Sequence, residues 1–192
     1  MSVKRNWEVL LIGGSSGSGK TTIAYELSRF YQVNVVKVDD IAQAVKAVTT
    51  AETLPMLHYW DSGIDWREMG AAANVEWLIN VSREISPALK AVVEAVHIAD
   101  SEPCIIEGDF IHPELCASFA DAKVKSVFIR EGDAGQIIHN YLKREGIQQP
   151  YRAEISRNHG DWLADVCVSR SIPVVEARPW SNLMERVIDS LS

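Results

Sequence analysis

Apolar positions along the chain follow two alternating rhythms. Trp7 to Ile12 is a short apolar run ending in glycines and reads as a buried strand. From Lys20 to Tyr31, Ile23, Leu27 and Phe30 recur at helical spacing. Val33 to Val38 is rich in β-branched residues and predicts a second strand, and Ile41 to Val48 a short helix. An irregular stretch, Leu54 to Trp66, is dense in aromatic residues. A long helical pattern follows from about Trp66 to Ala99, carried by Val75, Leu78, Val81, Ile85, Leu89, Val92 and Val96. Pro87 inside it is expected to break or kink the helix near Ser86. Pro103 opens a third strand through Ile106, and Val124 to Arg130 is a fourth. Asp133 to Glu145 and Ala153 to Val168 read as helices flanking a loop, Gly146 to Arg152. Pro173 to Glu176 is a fifth strand, and Ser181 to Leu191 a final helix with Ser181 as its cap. This alternation predicts an α/β fold with a mostly parallel sheet, whose ligands bind at the carboxyl ends of the strands. The expected organisation is one domain over residues 1–192, with an insertion at about 50–100 and a lid at about 143–157.

Composition narrows the class. The chain has 192 residues, 47% of them hydrophobic and 23% charged, which excludes disordered and fibrous proteins. A net charge of -7 speaks against a general nucleic-acid binder, so any anionic ligand needs local positive charge. Cys104, Cys116 and Cys167 are far apart and form no CxxC, and the His residues form no HxxxH. Neither a zinc site nor a disulfide framework is expected, and reduced thiols fit a cytoplasmic protein. The N-terminal apolar run, Val9 to Ile12, is too short for a signal peptide or membrane span, so no membrane partner is expected.

The sharpest signal is Gly14-Ser15-Ser16-Gly17-Ser18-Gly19-Lys20-Thr21, followed by Thr22, which matches GxxxxGK[ST] between a strand and a helix. Glycines let the backbone approach a polyphosphate, and the exposed N–H groups form an anion nest at a helix N-terminus. Lys20 is the candidate to bridge the β- and γ-phosphates, and the Thr21 hydroxyl the candidate Mg2+ ligand. The motif implies a nucleoside triphosphate with Mg2+. No N/TKxD segment for guanine is present.

Carboxylates follow the next strands. Asp39-Asp40 end the second, where Asp39 is the candidate base for an attacking hydroxyl and Asp40 a candidate helix cap. Glu107 ends the third as a candidate Mg2+ ligand, and Asp109 and His112 follow as candidate acceptor contacts or as turn and cap residues. Whether Asp39 or Asp109 is the base stays open at the level of sequence. Arg144, Arg152 and Arg157 form a basic cluster suited to close over transferring phosphates. Arg178 and Pro179 fall where one wall of an adenine pocket belongs. In the aromatic stretch, Trp60 and Arg67 are candidate acceptor contacts, or else packing residues of the insertion.

The segments GGSSGSGKTT, VDD, IIEGDF and NYLKREG resemble the small P-loop kinases, among them the shikimate, gluconate, zeta-toxin-like and chloramphenicol phosphotransferase groups. EGDFIHPEL and GDWLADV…IPVVEARPW are similar to the 2-phosphoglycerate kinase-like group and extend the resemblance over nearly the whole chain. The resemblance implies a three-layer P-loop NTPase sandwich with a five-stranded parallel sheet ordered 2-3-1-4-5 and a short lid. It also implies ATP as phosphoryl donor, Lys20 and Thr21 on nucleotide and metal, Asp39 as base, and Arg144 with its neighbours as lid. The reaction expected is transfer of the γ-phosphoryl group to a small metabolite such as 2-phosphoglycerate or another hydroxy compound. A nucleoside or nucleotide kinase, and a slowly hydrolysing switch, are the alternatives. Oligomeric state is not legible in the sequence.

Overall fold

Strand β1 (Val9–Gly13) is buried along its whole length, which requires cover on both faces of the sheet. The computed structural model describes residues 5–119 and 122–192. In chain order the other strands are β2 (Asn34–Lys37), β3 (Cys104–Glu107), β4 (Val124–Arg130) and β5 (Val174–Glu176). The five strands form one sheet in the order β2-β3-β1-β4-β5, and every pair is parallel. Glu107 of β3 sits level with Ile12 of β1 and Lys37 of β2. The chain therefore leaves three neighbouring strands at one edge, beside the glycine loop.

Side-chain alternation along β1 divides the core in two. Val9 and Leu11 face a cluster with Val81, Ile85, Leu89 and Leu163. Leu10 and Ile12 face the opposite cluster with Ile23, Leu27, Leu183 and Val187. The first layer belongs to α3 (Ala71–Val92) and α6 (Pro150–Ser169), the second to α1 (Lys20–Tyr31) and α7 (Leu183–Ser190). The remaining helices are α2 (Val38–Ala47), α4 (Pro113–Ser118) and α5 (Ala134–Glu145). The three-layer α/β sandwich and its strand order are those expected.

Several element boundaries differ from the expectation, each for a local reason. The second strand stops at Lys37 because Val38 turns fully into the core and begins α2. Asp39 and Asp40 therefore lie in the first turn of α2, facing the positive end of its dipole, and Asp40 is not the cap. Pro87 does not break α3, which runs through it without interruption. Both Pro87 and Arg83 are exposed, so water can take up the carbonyl that proline leaves without a partner. The Ser86 hydroxyl adds a bond of 2.6 Å to the Ser82 carbonyl. The helix starts at Ala71 rather than Trp66, because the Asn74 amide donates to the carbonyls of Trp66, Met69 and Gly70 and ties the preceding turn. Beyond Val92 it widens into a π-turn, Val93–Ile98. Ser181 does not cap the last helix: it sits inside a 3-10 turn, Trp180–Asn182, and α7 begins after it. Pro150 starts α6 earlier than expected, so only residues 146–149 connect α5 to α6.

Candidate active site

The glycine loop folds as its sequence demands. Gly14 has φ 141°, and an added Cβ would stand 2.4 Å from the Ile129 carbonyl oxygen, so no other residue fits. Gly19 has φ 92°, and a Cβ there would meet the Trp180 ring at 2.5 Å. Ser15 and Ser18 are buried, and Thr22 follows in the first turn of α1. Asn140 of α5 donates to the Gly17 carbonyl at 2.8 Å and pins the loop from outside. Asn140 and Trp180 lie in the segments NYLKREG and IPVVEARPW, but no motif assigned either a role; both belong to elements that only the tertiary fold brings to the loop.

Lys20 is almost fully buried, donates to the Ser15 carbonyl at 3.3 Å and forms an ion pair with Asp109. Thr21 donates its hydroxyl to Glu107 at 3.1 Å. Glu107 is buried, and burial pushes its carboxyl above the usual carboxylate range, with Lys20 and the Thr21 hydroxyl drawing it back. Asp39 is likewise raised, first by loss of solvent and then by the neighbouring Asp109 charge. These residues line a polar cavity of about 230 Å³ together with Ser16, Arg144 and Arg152.

A second cavity of about 360 Å³ adjoins it, and Ser16, Asp109 and Arg152 line both. Its walls are Trp60, Trp66, Trp77 and Phe110, with Asn74, Leu78, Ile155 and Ser156. Trp60 and Trp77 meet edge to face with centroids 4.7 Å apart, and Trp66 stacks on Tyr151 at 6.0 Å. Glu84 of α3 holds the aromatic segment in place, accepting from the backbone N–H groups of Met56 and Leu57 at 3.1 and 2.9 Å.

The structure brings most of the expected residues together and places others elsewhere. Lys20, Thr21, Asp39, Glu107, Asp109, Arg144 and Arg152 meet at the polar cavity, and Trp60 lies on the aromatic one. Arg157 lines neither cavity; it is exposed beside Asn158, because five residues along α6 from Arg152 carry it about 140° around the helix. Arg67 also lines neither: its side chain is 70% exposed, beside Asp65 and over the Trp66 ring. His112 is buried and caps α4, its Nδ1 accepting from the Glu114 N–H at 3.1 Å. It lines neither cavity. Arg144 and Arg152 both pair with Glu145, and Arg152 lies over the Tyr141 ring. Arg178 pairs with buried Glu131 at 3.0 Å, beside Pro179 and Trp180 at the far side of the glycine loop.

Mg2+ takes one or two protein oxygens and completes its shell with water and phosphate. Thr21 and Glu107 supply that donor set. Among the described residues no group of three or more His, Cys, Asp and Glu forms a larger metal cage. Burial pushes the thiols of Cys104, Cys116 and Cys167 up to about 12, and none is in a disulfide, so burial disfavours their thiolates near neutral pH. Among the described residues no helix is long and apolar enough to cross a membrane.

A parallel sheet in this order, with a glycine loop leading into α1 and acids on the adjacent strand ends, defines a P-loop NTPase fold of the type found in small-molecule kinases. The chain is 24% identical over 195 residues to 2-phosphoglycerate kinase of Methanocaldococcus jannaschii, covering 96% of this chain and 63% of that protein. It is 28% identical over 204 residues to the protein of the same name from Methanococcus vannielii, covering 97% and 65%. The chain thus spans slightly less than two thirds of these relatives. Among solved structures, a gluconokinase from Sinorhizobium meliloti superposes with a TM-score of 0.55 at 15% identity, over 98% of this chain and 93% of that one. Shikimate kinase from Acinetobacter baumannii, in complex with shikimate, gives 0.53 at 10% identity, over 95% and 92%. No family model matches the chain.

Proposed function

We propose that this protein is an ATP-dependent kinase that transfers the γ-phosphoryl group to a hydroxyl of a small-molecule acceptor. The observation that carries the reading is the pair of adjoining cavities, one polar and lined by charges of both signs beside the glycine loop, the other aromatic, sharing Ser16, Asp109 and Arg152. A switch that only hydrolyses nucleotide needs the first and has no use for the second. The kinase names of the archaeal relatives agree with this, and make 2-phosphoglycerate the first acceptor to test.

Each residue then has a task. The backbone N–H groups of residues 14–19 and the Lys20 ammonium cradle the phosphates, while Lys20 exchanges Asp109 for phosphate oxygens. Thr21 and Glu107 would hold Mg2+, which would offset charge on the phosphoryl oxygens. Asp39 receives the proton of the attacking hydroxyl: it has no ion pair among the described residues, and burial has raised its basicity. Asp109, placed on both cavities and released by Lys20 when the triphosphate binds, orients that hydroxyl. Arg144 and Arg152 stabilise the spreading charge of the transition state and help exclude water. Arg178 and Pro179 form a wall for the adenine. The work is positioning and electrostatics, as phosphoryl transfer requires.

The test is acceptor-stimulated ADP release in parallel Asp39→Asn and Asp109→Asn variants. The reading predicts that Asp39→Asn lowers kcat by about a hundredfold or more with little change in acceptor KM. Asp109→Asn instead raises acceptor KM. The reverse pattern would exchange the two roles.

A further inference from the structure

Resting on the kinase reading above, we infer that the acceptor is an uncharged, ring-bearing alcohol or phenol rather than a polyanionic metabolite. The walls of the acceptor cavity are Trp60, Trp66, Trp77 and Phe110, which offer faces and edges to a flat or apolar body. The indole N–H of Trp77 is already committed, donating to the Met56 carbonyl at 2.9 Å, so that ring presents carbon rather than a donor.

Charge decides the class. A phosphorylated acid such as 2-phosphoglycerate carries a carboxylate and a phosphate, each of which calls for a cationic fork or ammonium. Arg152 is the one cation on this cavity among the described residues, and it lines the polar cavity as well, where the transferring phosphoryl group needs it. Asp109, on the same wall, opposes a second anion. Lys20 and Arg144 lie on the polar cavity, where the triphosphate needs them. Arg67, which directly follows the aromatic segment, is on the outer surface.

One polar feature of the cavity favours a donor on the ligand. The Asn74 side-chain nitrogen is occupied by three carbonyls, of Trp66, Met69 and Gly70, which fixes the orientation of the amide. Its Oδ1 makes no hydrogen bond among the described residues and is left as an acceptor. A neutral alcohol can donate one O–H or N–H there and hold its reacting hydroxyl at Asp109, at the mouth of the polar cavity. A second carboxylate or phosphate would meet an acceptor instead of a donor.

The experiment compares thymidine, phenyl β-D-glucoside and tyrosol with 2-phosphoglycerate and gluconate, each with saturating Mg-ATP. Two signals are read: ADP release and quenching of tryptophan emission. At least one ring compound is expected to raise ADP release about tenfold and to quench saturably, while the two acids do neither. Trp66→Leu, with Trp60→Leu as a second variant, is expected to raise the KM of that compound about tenfold, the loss of one stacking contact. Stimulation by an acid and by no ring compound would overturn the inference and leave the kinase reading intact. So would an absence of both signals from every ring compound while Mg-ATP still binds. Failure of Mg-ATP to bind in a separate thermal-shift titration would instead remove the kinase reading, and this inference with it.

Discussion

His159 shows how a single buried side chain couples the site to pH. It lies in α6 next to Gly160, whose Cα sits against Ser15 of the glycine loop, and it stacks on Trp162. Both ring nitrogens are buried without a hydrogen-bond partner among the described residues. Burial pushes its pKa down to about 4, opposed by Asp109 and assisted by Lys20 and His112. The unfolded chain binds this proton near pH 6.5 and the folded chain does not. Stability from a neutral His159 is therefore complete above that value and is lost as pH falls toward 4. Between pH 7 and 5 the loss amounts to about 2 kcal/mol. Denaturant unfolding at the two pH values should show that difference in the native protein and little of it in His159→Phe. Equal slopes in both proteins would place the acid sensitivity elsewhere. Nothing in the sequence marked this residue, since a histidine in a helix becomes a buried neutral one only once the glycine loop is packed above it. By contrast, Lys20 and Thr21 were legible outright, because a phosphate cradle needs a fixed order of glycines, lysine and hydroxyl over a short span.

At the scale of elements, the helix-and-strand alternation was readable because burial on both faces leaves continuous apolar runs, as in β1 and β3. The errors arose where a local signal met a tertiary one. Pro87 reads as a breaker, yet α3 continues because its buried face, Val81, Ile85 and Leu89, is held in the core while proline lies on the outside. Arg157 reads as part of a basic cluster, yet helical phase takes it off the site. The aromatic segment could be read as packing or as binding. In the structure Glu84 clamps its backbone to α3 while Trp60 and Trp66 line the cavity, so the segment packs and the proposed acceptor contact rests on those rings. Glu84→Ala should release that clamp and raise acceptor KM about tenfold, roughly the value of one charge-assisted backbone bond. Steady-state kinetics in which acceptor KM is unchanged would show that Trp60 and its neighbours are held by ring packing alone.

At the scale of the whole molecule, the sheet delivers the glycine loop, Asp39, Glu107 and Asp109 to one edge, and the helical layer above β1 supplies the aromatic cavity beside them. Proteins of this topology differ by what their insertion presents to the phosphoryl group, so the fold constrains the donor side more tightly than the acceptor side. Against the overall charge of -7, Lys20, Arg144 and Arg152 are the cations that line the polar cavity among the described residues. The central claim is transfer to an acceptor rather than to water. Phosphorus-31 NMR of Mg-ATP turnover tests it most directly, with the acceptor panel in the tube. Transfer predicts a new phosphomonoester resonance that grows in step with ADP and is absent with Lys20→Ala. Growth of inorganic phosphate alone, at the same rate with and without every acceptor, would contradict it and make the protein a nucleotide hydrolase.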